Sequence, residues 1–445
     1  MTNYTAIEKS ERIPEVVLKD PVHDYVHIYH QVVLDLIDTK EFQRLRRIKQ
    51  LGTSQYVFHG AEHSRFAHCL GAYELARKII NHFNRNYPKY WDNNDRLVTI
   101  CAALLHDLGH GPFSHTFEKI FDTNHEQVTI DIILDPDTEV NRVLKRISSD
   151  FPVEVASVIQ KTHPNPKVIQ LISSQIDADR MDYLQRDAYF TGVNYGIFDL
   201  SRILKTIRPY EDGIAIKYSG MHAVEDYIVS RYQMYMQVYF HPVSRGMEVT
   251  LDRLLTRAGD LHLEGNLYPN IDALTPFFEN NWTLSDYLKL DDSVILYAIN
   301  QWQDSSDQIL RELSKMFLNR HPLKSIGYKG GKDDDTVQKL IDLVDQLHYN
   351  SRYFTKTNRS SDLSYDYSLK GQSPILLMHP DGQLVELPEE SDIVRILSDH
   401  LHGNDRLYVP AELLQKKPSK ELNLFEPLLA EFQSYIHNGE IVGTE

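Results

Sequence analysis

Leu97, Ile100, Cys101, Leu104 and Leu105 recur at helical spacing, and the segment they define closes on His106-Asp107 before Gly109, Gly111 and Pro112 stop it. The pattern predicts a buried helix that carries an adjacent imidazole and carboxylate into the interior at its end. Burying an ionised Asp beside a His without compensation is costly, and a bound cation is a common way to offset that cost. Two further histidines, His110 and His115, follow within one short turn. His-Asp in sequence is common by itself; its place at the end of an apolar helix is what constrains the chain.

The surrounding pattern is almost wholly helical from about Val32 to Gly259. Helices are expected at 31–37, 40–51, 64–86, 95–107, 113–121, 125–134, 138–147, 152–161, 166–189, 199–207, 221–239 and near 245–264. Before them, Val16-Val17-Leu18 and Val26-His27-Ile28 read as short strands around a turn at Asp20–Asp24, and Gly213–Lys217 reads as extended. Beyond about residue 265 the character changes. Pro269, Pro276 and the polar run Lys329–Asp335 interrupt the chain, and helices near 283–302, 303–319 and 335–347 lead into a β-containing tail. There Ile375–Met378 and Gln383–Leu387 flank Pro380-Asp381-Gly382, a hairpin signal, and Arg406–Val409 adds a strand. The expected fold is therefore mainly α, with short N-terminal strands and a mixed α/β C-terminal region, divided at 1–264 and 265–445.

Composition excludes some functions. The formal charge of −16 over 445 residues argues against a general nucleic-acid coat, since phosphate binding needs a net basic surface. It leaves room for a small phosphorylated ligand in a locally basic pocket. No apolar run reaches the roughly 18 residues of a membrane span and the N-terminus lacks a signal-peptide core, so a cytoplasmic location is expected. Cys69 and Cys101 both sit in apolar helical contexts and read as buried small hydrophobes. Eight of the 21 histidines crowd between His59 and His125.

A cation with imidazole and carboxylate ligands needs about three to six donors from separate elements. His106 and Asp107 supply two. His68 opens a helix continued by Leu75, Ala76, Ile79 and Ile80, and Asp179 begins a charged stripe with Tyr183 and Asp187 at i, i+4 and i+8. Taken singly, His68 reads as a core or cap histidine and Asp179 as a surface ion pair; together they complete a His-His-Asp-Asp set. His110, His115, Glu118 and His125 lie just beyond, where a His–carboxylate pair can hold one tautomer and deliver a proton. Arg65, Arg180 and Arg231 offer guanidinium forks for phosphate. Arg231, Tyr235 and Tyr239 again run i, i+4, i+8, as an aromatic packing stripe or as a surface for a base or sugar.

These residues, with Asp38-Thr39, Phe42–Gly52, Tyr56-Val57-Phe58 and His63–His68, resemble the HD-domain deoxynucleoside triphosphate triphosphohydrolases, in the branch of the vertebrate sterile-alpha-motif/HD-domain enzyme and its bacterial relatives. The similarity runs from about Asp20 to Gly259. It implies an HD-domain helical core in which His68, His106, Asp107 and Asp179 hold a divalent metal and His110, Glu118 and His125 form the catalytic group. The vertebrate relative carries Asp where Glu118 stands. Arg65, His115, Arg180, Tyr183, Arg231 and Tyr239 match triphosphate contacts or their neighbours, with Arg180 in place of a Lys. Gln50, Leu51 and Asp187 match residues that contact the sugar, and Tyr183 would close the space a ribose 2′-hydroxyl needs.

The implied reaction is metal-assisted attack of water on the α-phosphorus, releasing deoxynucleoside and intact triphosphate, broadly across dNTPs. The resemblance also implies a homotetramer activated by dGTP or GTP bound between subunits. Asp38, Gln43 and Arg46 match the guanine-reading positions, and Arg202 and Lys217 the basic positions around activator phosphates. Val16 and Pro242 stand where the relative has other residues, Val16 replacing a Lys, which points either to a simpler activator site or to one that prefers dGTP to GTP. Without the resemblance Asp38 reads as a turn or cap residue. The metal is left open among Mg, Mn, Fe and Zn. Two rival readings are another HD phosphohydrolase, such as a 5′-nucleotidase or phosphodiesterase, and a catalytically idle nucleotide sensor.

Overall fold

The computed structural model describes residues 4–358, 374–399, 405–415 and 422–442. At its centre is the helix Arg96–Leu105, whose sequence RLVTICAALL carries one charge and is buried on every side. Leu97, Ile100, Leu104 and Leu105 are fully excluded from solvent, each contributing about 1.5–3 kcal/mol of apolar burial. Against it lie the helices Arg65–Asn86 and Phe151–Ile159, and the helix Ala178–Thr191 packs on the first of these.

One glycine sets the last contact. A Cβ on Gly71 would collide with the Asp182 carboxylate and the Arg186 guanidinium, so only glycine lets the two helices approach closely enough to bring their polar faces together.

Side-chain capping decides where several helices begin and end. The helix expected over 166–189 is two: Pro166–Ile172, then a break through Ser173–Asp177, then Ala178–Thr191. The Asp177 carboxylate accepts from the backbone N–H of Ser174 and of Arg180, each at 2.7 Å, and restarts the chain as an N-cap. That places Asp179 in a first turn rather than in mid-helix. The expected helix over 40–51 stops earlier, as Lys40–Arg44 followed by a 3₁₀ turn, Leu45–Arg47. The one over 221–239 is α-helical only to Met234 and widens into a π-turn over Tyr235–Tyr239. The expected helix 283–302 is also two pieces, Leu284–Tyr287 and Asp292–Trp302, the second capped by Asp291.

The N-terminal strands are longer than their apolar cores suggested, Arg12–Asp20 pairing antiparallel with Asp24–His30. The strands Ile207–Pro209 and Ile214–Lys217 are joined in parallel by the tail hairpin Leu376–Met378 and Leu384–Glu386, through Ile216↔Leu377. A further sheet, ordered 436–437, 440–441, 324–327, 406–409 and 356–358, carries a separate small core around Ile326, Leu340, Leu407 and Phe432. The main core runs without interruption from Tyr4 through Leu261 and Leu274 to Tyr408. The fold is mainly α with a mixed α/β C-terminal region. Among the described residues, no helix is long and apolar enough to cross a membrane.

Candidate metal centre and active site

Three helix ends converge on one point. His68 comes from the first turn of Arg65–Asn86, His106 and Asp107 from the end of Arg96–Leu105, and Asp179 from the first turn of Ala178–Thr191. His68 Nε2 lies 3.0 Å from Asp179 Oδ1 and 3.3 Å from His106 Nε2, and His106 Nε2 is 3.4 Å from the same Asp179 oxygen. Asp107 reaches the group through Oδ1, 3.5 Å from His106 Nε2, and Oδ2, 3.7 Å from His68 Nε2.

The outward nitrogens are spoken for. His68 Nδ1 donates to Asp182 Oδ2 at 2.8 Å and His106 Nδ1 to the Ala103 carbonyl at 2.9 Å. Each ring is thereby held with Nε2 facing the centre, the arrangement that presents imidazole lone pairs to a cation. Burial opposes charge on His68, but the Asp179 and Asp182 hydrogen bonds outweigh it and hold the ring up at about 10. Asp179 is buried too, yet the His106 and His68 contacts draw its carboxyl below the usual range. Two imidazoles facing each other across carboxylates call for positive charge between them. Nitrogen and oxygen donors in this number suit a divalent transition metal, and His68, His106 and Asp179, with Asp107 beside them, fit such an ion.

Asp107 also joins this centre to a second group. Its Oδ1 is 3.4 Å from His110 Nε2, and its other oxygen pairs with the Arg65 guanidinium. His110 stacks on His125 with ring centroids 3.9 Å apart. Glu118 Oε1 accepts from both the backbone N–H (2.7 Å) and Nδ1 (2.6 Å) of His125, while Oε2 accepts from His115 Nδ1 at 2.7 Å. Burial works against the Glu118 charge, but the His115 and His125 hydrogen bonds prevail and keep it ionised. Burial, reinforced by the Arg65 charge and then His125, pushes His110 well below its ordinary value and keeps it neutral. A neutral imidazole thus lies against one held by a carboxylate, a pairing equipped for proton transfer. His115 itself is exposed.

On the other side of the centre, Tyr183 lies against His68 with ring centroids 6.4 Å apart and against Tyr239 at 6.2 Å. Asp187 is buried, with Oδ2 accepting from the Tyr239 hydroxyl at 2.8 Å and Oδ1 from His63 Nε2 at 2.7 Å. The stripe of Asp179, Tyr183 and Asp187 therefore diverges, its first carboxylate facing the metal centre and its last tied to His63 and Tyr239. Arg231 donates through Nη1 to Gln175 Oε1 at 2.8 Å, while its buried Nε–H and the buried Gln50 Oε1 have no partner among the described residues. Arg180 Nε sits 3.4 Å from Asp177. Arg65 is more committed than a free phosphate ligand, since it donates to Ser114 Oγ as well as to Asp107. Leu51 is half-buried on the edge of the core.

The candidate activator residues lie elsewhere. Asp38 lines an open groove with Asp35, Thr39, Glu139, Arg142 and Arg146. Gln43 accepts from Arg46 Nε at 2.8 Å, and Arg46 stacks over Phe66. Arg202 donates to the Ser219 carbonyl at 2.7 Å, and Lys217 lies over the Tyr87 ring.

Several residues of the site escape a reading by pattern. Asp182 anchors His68 and also accepts from His23 Nε2 at 2.6 Å and from Arg186, which reaches on to Asp20 in the N-terminal turn. The i, i+3 spacing of Asp179 and Asp182 was the available signal. Ser114 and Gln175 carried none.

Residues 65–187 match the HD domain family and 198–270 the HD associated region. The chain is 51% identical to the uncharacterized protein YwfO of Bacillus subtilis, covering 90% of this chain and 93% of that one. It is 31% identical to the Dictyostelium discoideum homolog of the deoxynucleoside triphosphate triphosphohydrolase SAMHD1, over 58% of this chain and 51% of that protein. Among solved structures, a phosphohydrolase from Bacteroides thetaiotaomicron superposes with a TM-score of 0.77 at 29% identity, covering 89% of this chain and 99% of that one. The chain belongs to the HD-domain phosphohydrolase family, among relatives that include the SAMHD1 triphosphohydrolases.

Proposed function

We propose that this protein hydrolyses dNTPs to deoxynucleoside and inorganic triphosphate. The observation that carries the reading is Asp107, which bridges the His68–His106–Asp179 centre to the His110–His125–Glu118 group. His68, His106, Asp107 and Asp179 would hold a divalent cation, which would supply Lewis-acid neutralisation of phosphate charge and acidify water. Glu118 holds His125 by Nδ1, leaving its other nitrogen to protonate the departing 5′-oxygen as the bond to the α-phosphorus breaks. His110, in contact with both His125 and Asp107, links the acid to the metal side of the site and is placed to orient the attacking water.

Arg231 and Arg180 serve the triphosphate, and the buried Arg231 Nε–H, without a partner among the described residues, is a donor suited to it. Gln50, Leu51 and Asp187 face the sugar, with Tyr183 and Tyr239 closing the wall beside it. Few base-edge contacts follow from this set, so use of several dNTPs is expected. Asp38, Gln43, Arg46, Arg202 and Lys217 form the activator site for dGTP or GTP, completed between subunits of a homotetramer in the cytoplasm.

The test is product identity with each dNTP, alone and with dGTP, across Mg, Mn, Fe and Zn. Triphosphate release that disappears in His106→Ala and Asp107→Ala supports the reading. Phosphate or pyrophosphate as product, or turnover of dNMP or cyclic dinucleotide instead, overturns it. Saturable dGTP binding without turnover at any metal makes the protein a sensor. A rate and a mass both unchanged by dGTP remove the activator site.

A further inference from the structure

Asp292 is buried at the start of Asp292–Trp302, far in sequence from either half of the site. Its Oδ2 accepts the backbone N–H of Lys49 at 2.9 Å, and its Oδ1 accepts that of Phe113 at 2.8 Å. The first amide immediately precedes Gln50-Leu51. The second immediately precedes Ser114, whose hydroxyl accepts Arg65 Nε at 3.0 Å and Nη2 at 2.9 Å while the same guanidinium pairs with Asp107.

The loop so held is strained. Phe113 has φ +52°, and Ser114 has φ +52° with ψ −120°, a conformation that non-glycine residues keep only when their surroundings impose it. Neighbours of Asp292 hold the chain just before each of these two segments. The Tyr287 hydroxyl donates to the Gly109 carbonyl at 2.8 Å, Arg44 Nε donates to the Leu290 carbonyl at 2.8 Å, and Arg47 pairs with Asp291. Burial pushes the Asp292 carboxyl up to about 6 against the pull of the Lys49 and Phe113 amides. A buried acid is thus kept where an apolar residue would meet no such penalty.

We propose that Asp292 is a positioning residue that clamps the two walls of the active site in register. One oxygen fixes Gln50-Leu51, and the other fixes the Ser114–Arg65–Asp107 chain. The clamp rests on the dNTP reading for taking Gln50-Leu51 as a wall of the site and for what the two walls bind. It makes the segment 284–302 part of the catalytic unit: substrate placement and the orientation of Asp107 share one carboxylate.

The test is Asp292→Asn, close in size, whose side chain can accept only one of the two amides in the same way. Hydrogen exchange of the full-length protein is followed by mass spectrometry, alongside kcat, KM and bound metal. The clamp predicts that peptides covering 48–52 and 111–116 both exchange about tenfold faster while the rest of the chain is unchanged. It also predicts a KM raised about threefold or more and a kcat lowered about tenfold in fully folded, metal-loaded protein. Wild-type exchange in both segments, or a kcat that falls only with the folded fraction at constant KM, overturns it. Should wild type release no triphosphate, the function reading falls and exchange alone decides: joint loosening of both segments supports the clamp, and loosening of one or neither overturns it. If Asp292→Asn does not fold, wild-type exchange in low urea decides, because clamped Lys49 and Phe113 amides open together and unclamped ones separately.

Discussion

His68 Nδ1 donates to Asp182 Oδ2 at 2.8 Å, and this bond turns the ring so that Nε2 faces His106 and Asp179. Because Asp182 also receives His23 and Arg186, the orientation of one candidate metal ligand is tied to the N-terminal turn and to a neighbouring helix. Asp182→Asn is expected to lower metal affinity about 10–100-fold, the usual cost of losing such an outer partner. Metal content after dialysis against graded chelator measures this, and wild-type retention would remove Asp182 from the centre.

Gly71→Ala is expected to destabilise the protein by about 1–3 kcal/mol and to weaken metal binding with it. In an ordinary helix interior the change would stabilise by up to about 1 kcal/mol. Here the new methyl meets Asp182 and Arg186, so the sign reverses. Urea denaturation midpoints of the two proteins give the answer, and a raised midpoint contradicts the close approach.

His125→Ala should lower kcat about 10²–10⁴-fold, the range for a lost general acid. Glu118→Gln should lower it less, since the imidazole stays and only its carboxylate anchor is lost. Metal content is expected to hold in both variants with the ion on His68–His106–Asp179; His125 also falls in two other groups with ligand spacing, Asp107–His110–His125 and His115–Glu118–His125, so metal analysis decides which group holds it. Steady-state kinetics with metal analysis separates this from general damage; loss of metal in either variant would place these residues in the first coordination sphere.

Glu8 provides a test of stability against pH. The His30 hydrogen bond, outweighing burial and joined by Arg12 and Arg96, lowers its carboxyl from 4.5 to about 2. A carboxyl lowered in the folded state stabilises fully above its unfolded value and loses that contribution as pH falls toward the folded one. Discounted for solvent screening, the contribution is about 1–2 kcal/mol at neutral pH. Glu8→Gln should therefore be less stable than wild type at pH 7, with the gap closing between pH 4.5 and pH 2. Parallel urea titrations across that range check it; a constant gap would mean that Glu8 acts through packing instead.

Arg231→Ala should raise KM for dNTPs about 10–100-fold with a smaller change in kcat, as expected when a charged donor to phosphate is removed. Its Nε–H has no partner among the described residues and is the donor left for a ligand, while its Nη1 bond to Gln175 is lost as well, so KM is compared in protein shown to be fully folded. Equal KM for wild type and variant would leave Arg231 as a support for Gln175 alone.

Local pattern was enough for the helical character of the core and for the run in which His106 and Asp107 stand. Apolar periodicity and Gly/Pro stops are local, and they mark a buried helix wherever its partners lie. It also singled out His68, on a helix whose apolar positions turn it inward, and Asp179, at the head of a charged stripe. The breaks at 173–177 and 288–291 were not legible by periodicity, because short side-chain caps at Asp177 and Asp291 overrode a helical pattern that continued through them. Tertiary structure alone decided the supports. Asp182 meets His23 and His68 across 159 and 114 residues, and Asp292 meets Phe113 across 179. Such contacts depend on how helices cross, as the approach at Gly71 shows, and no local pattern encodes which buried carboxylate another segment's donor will reach.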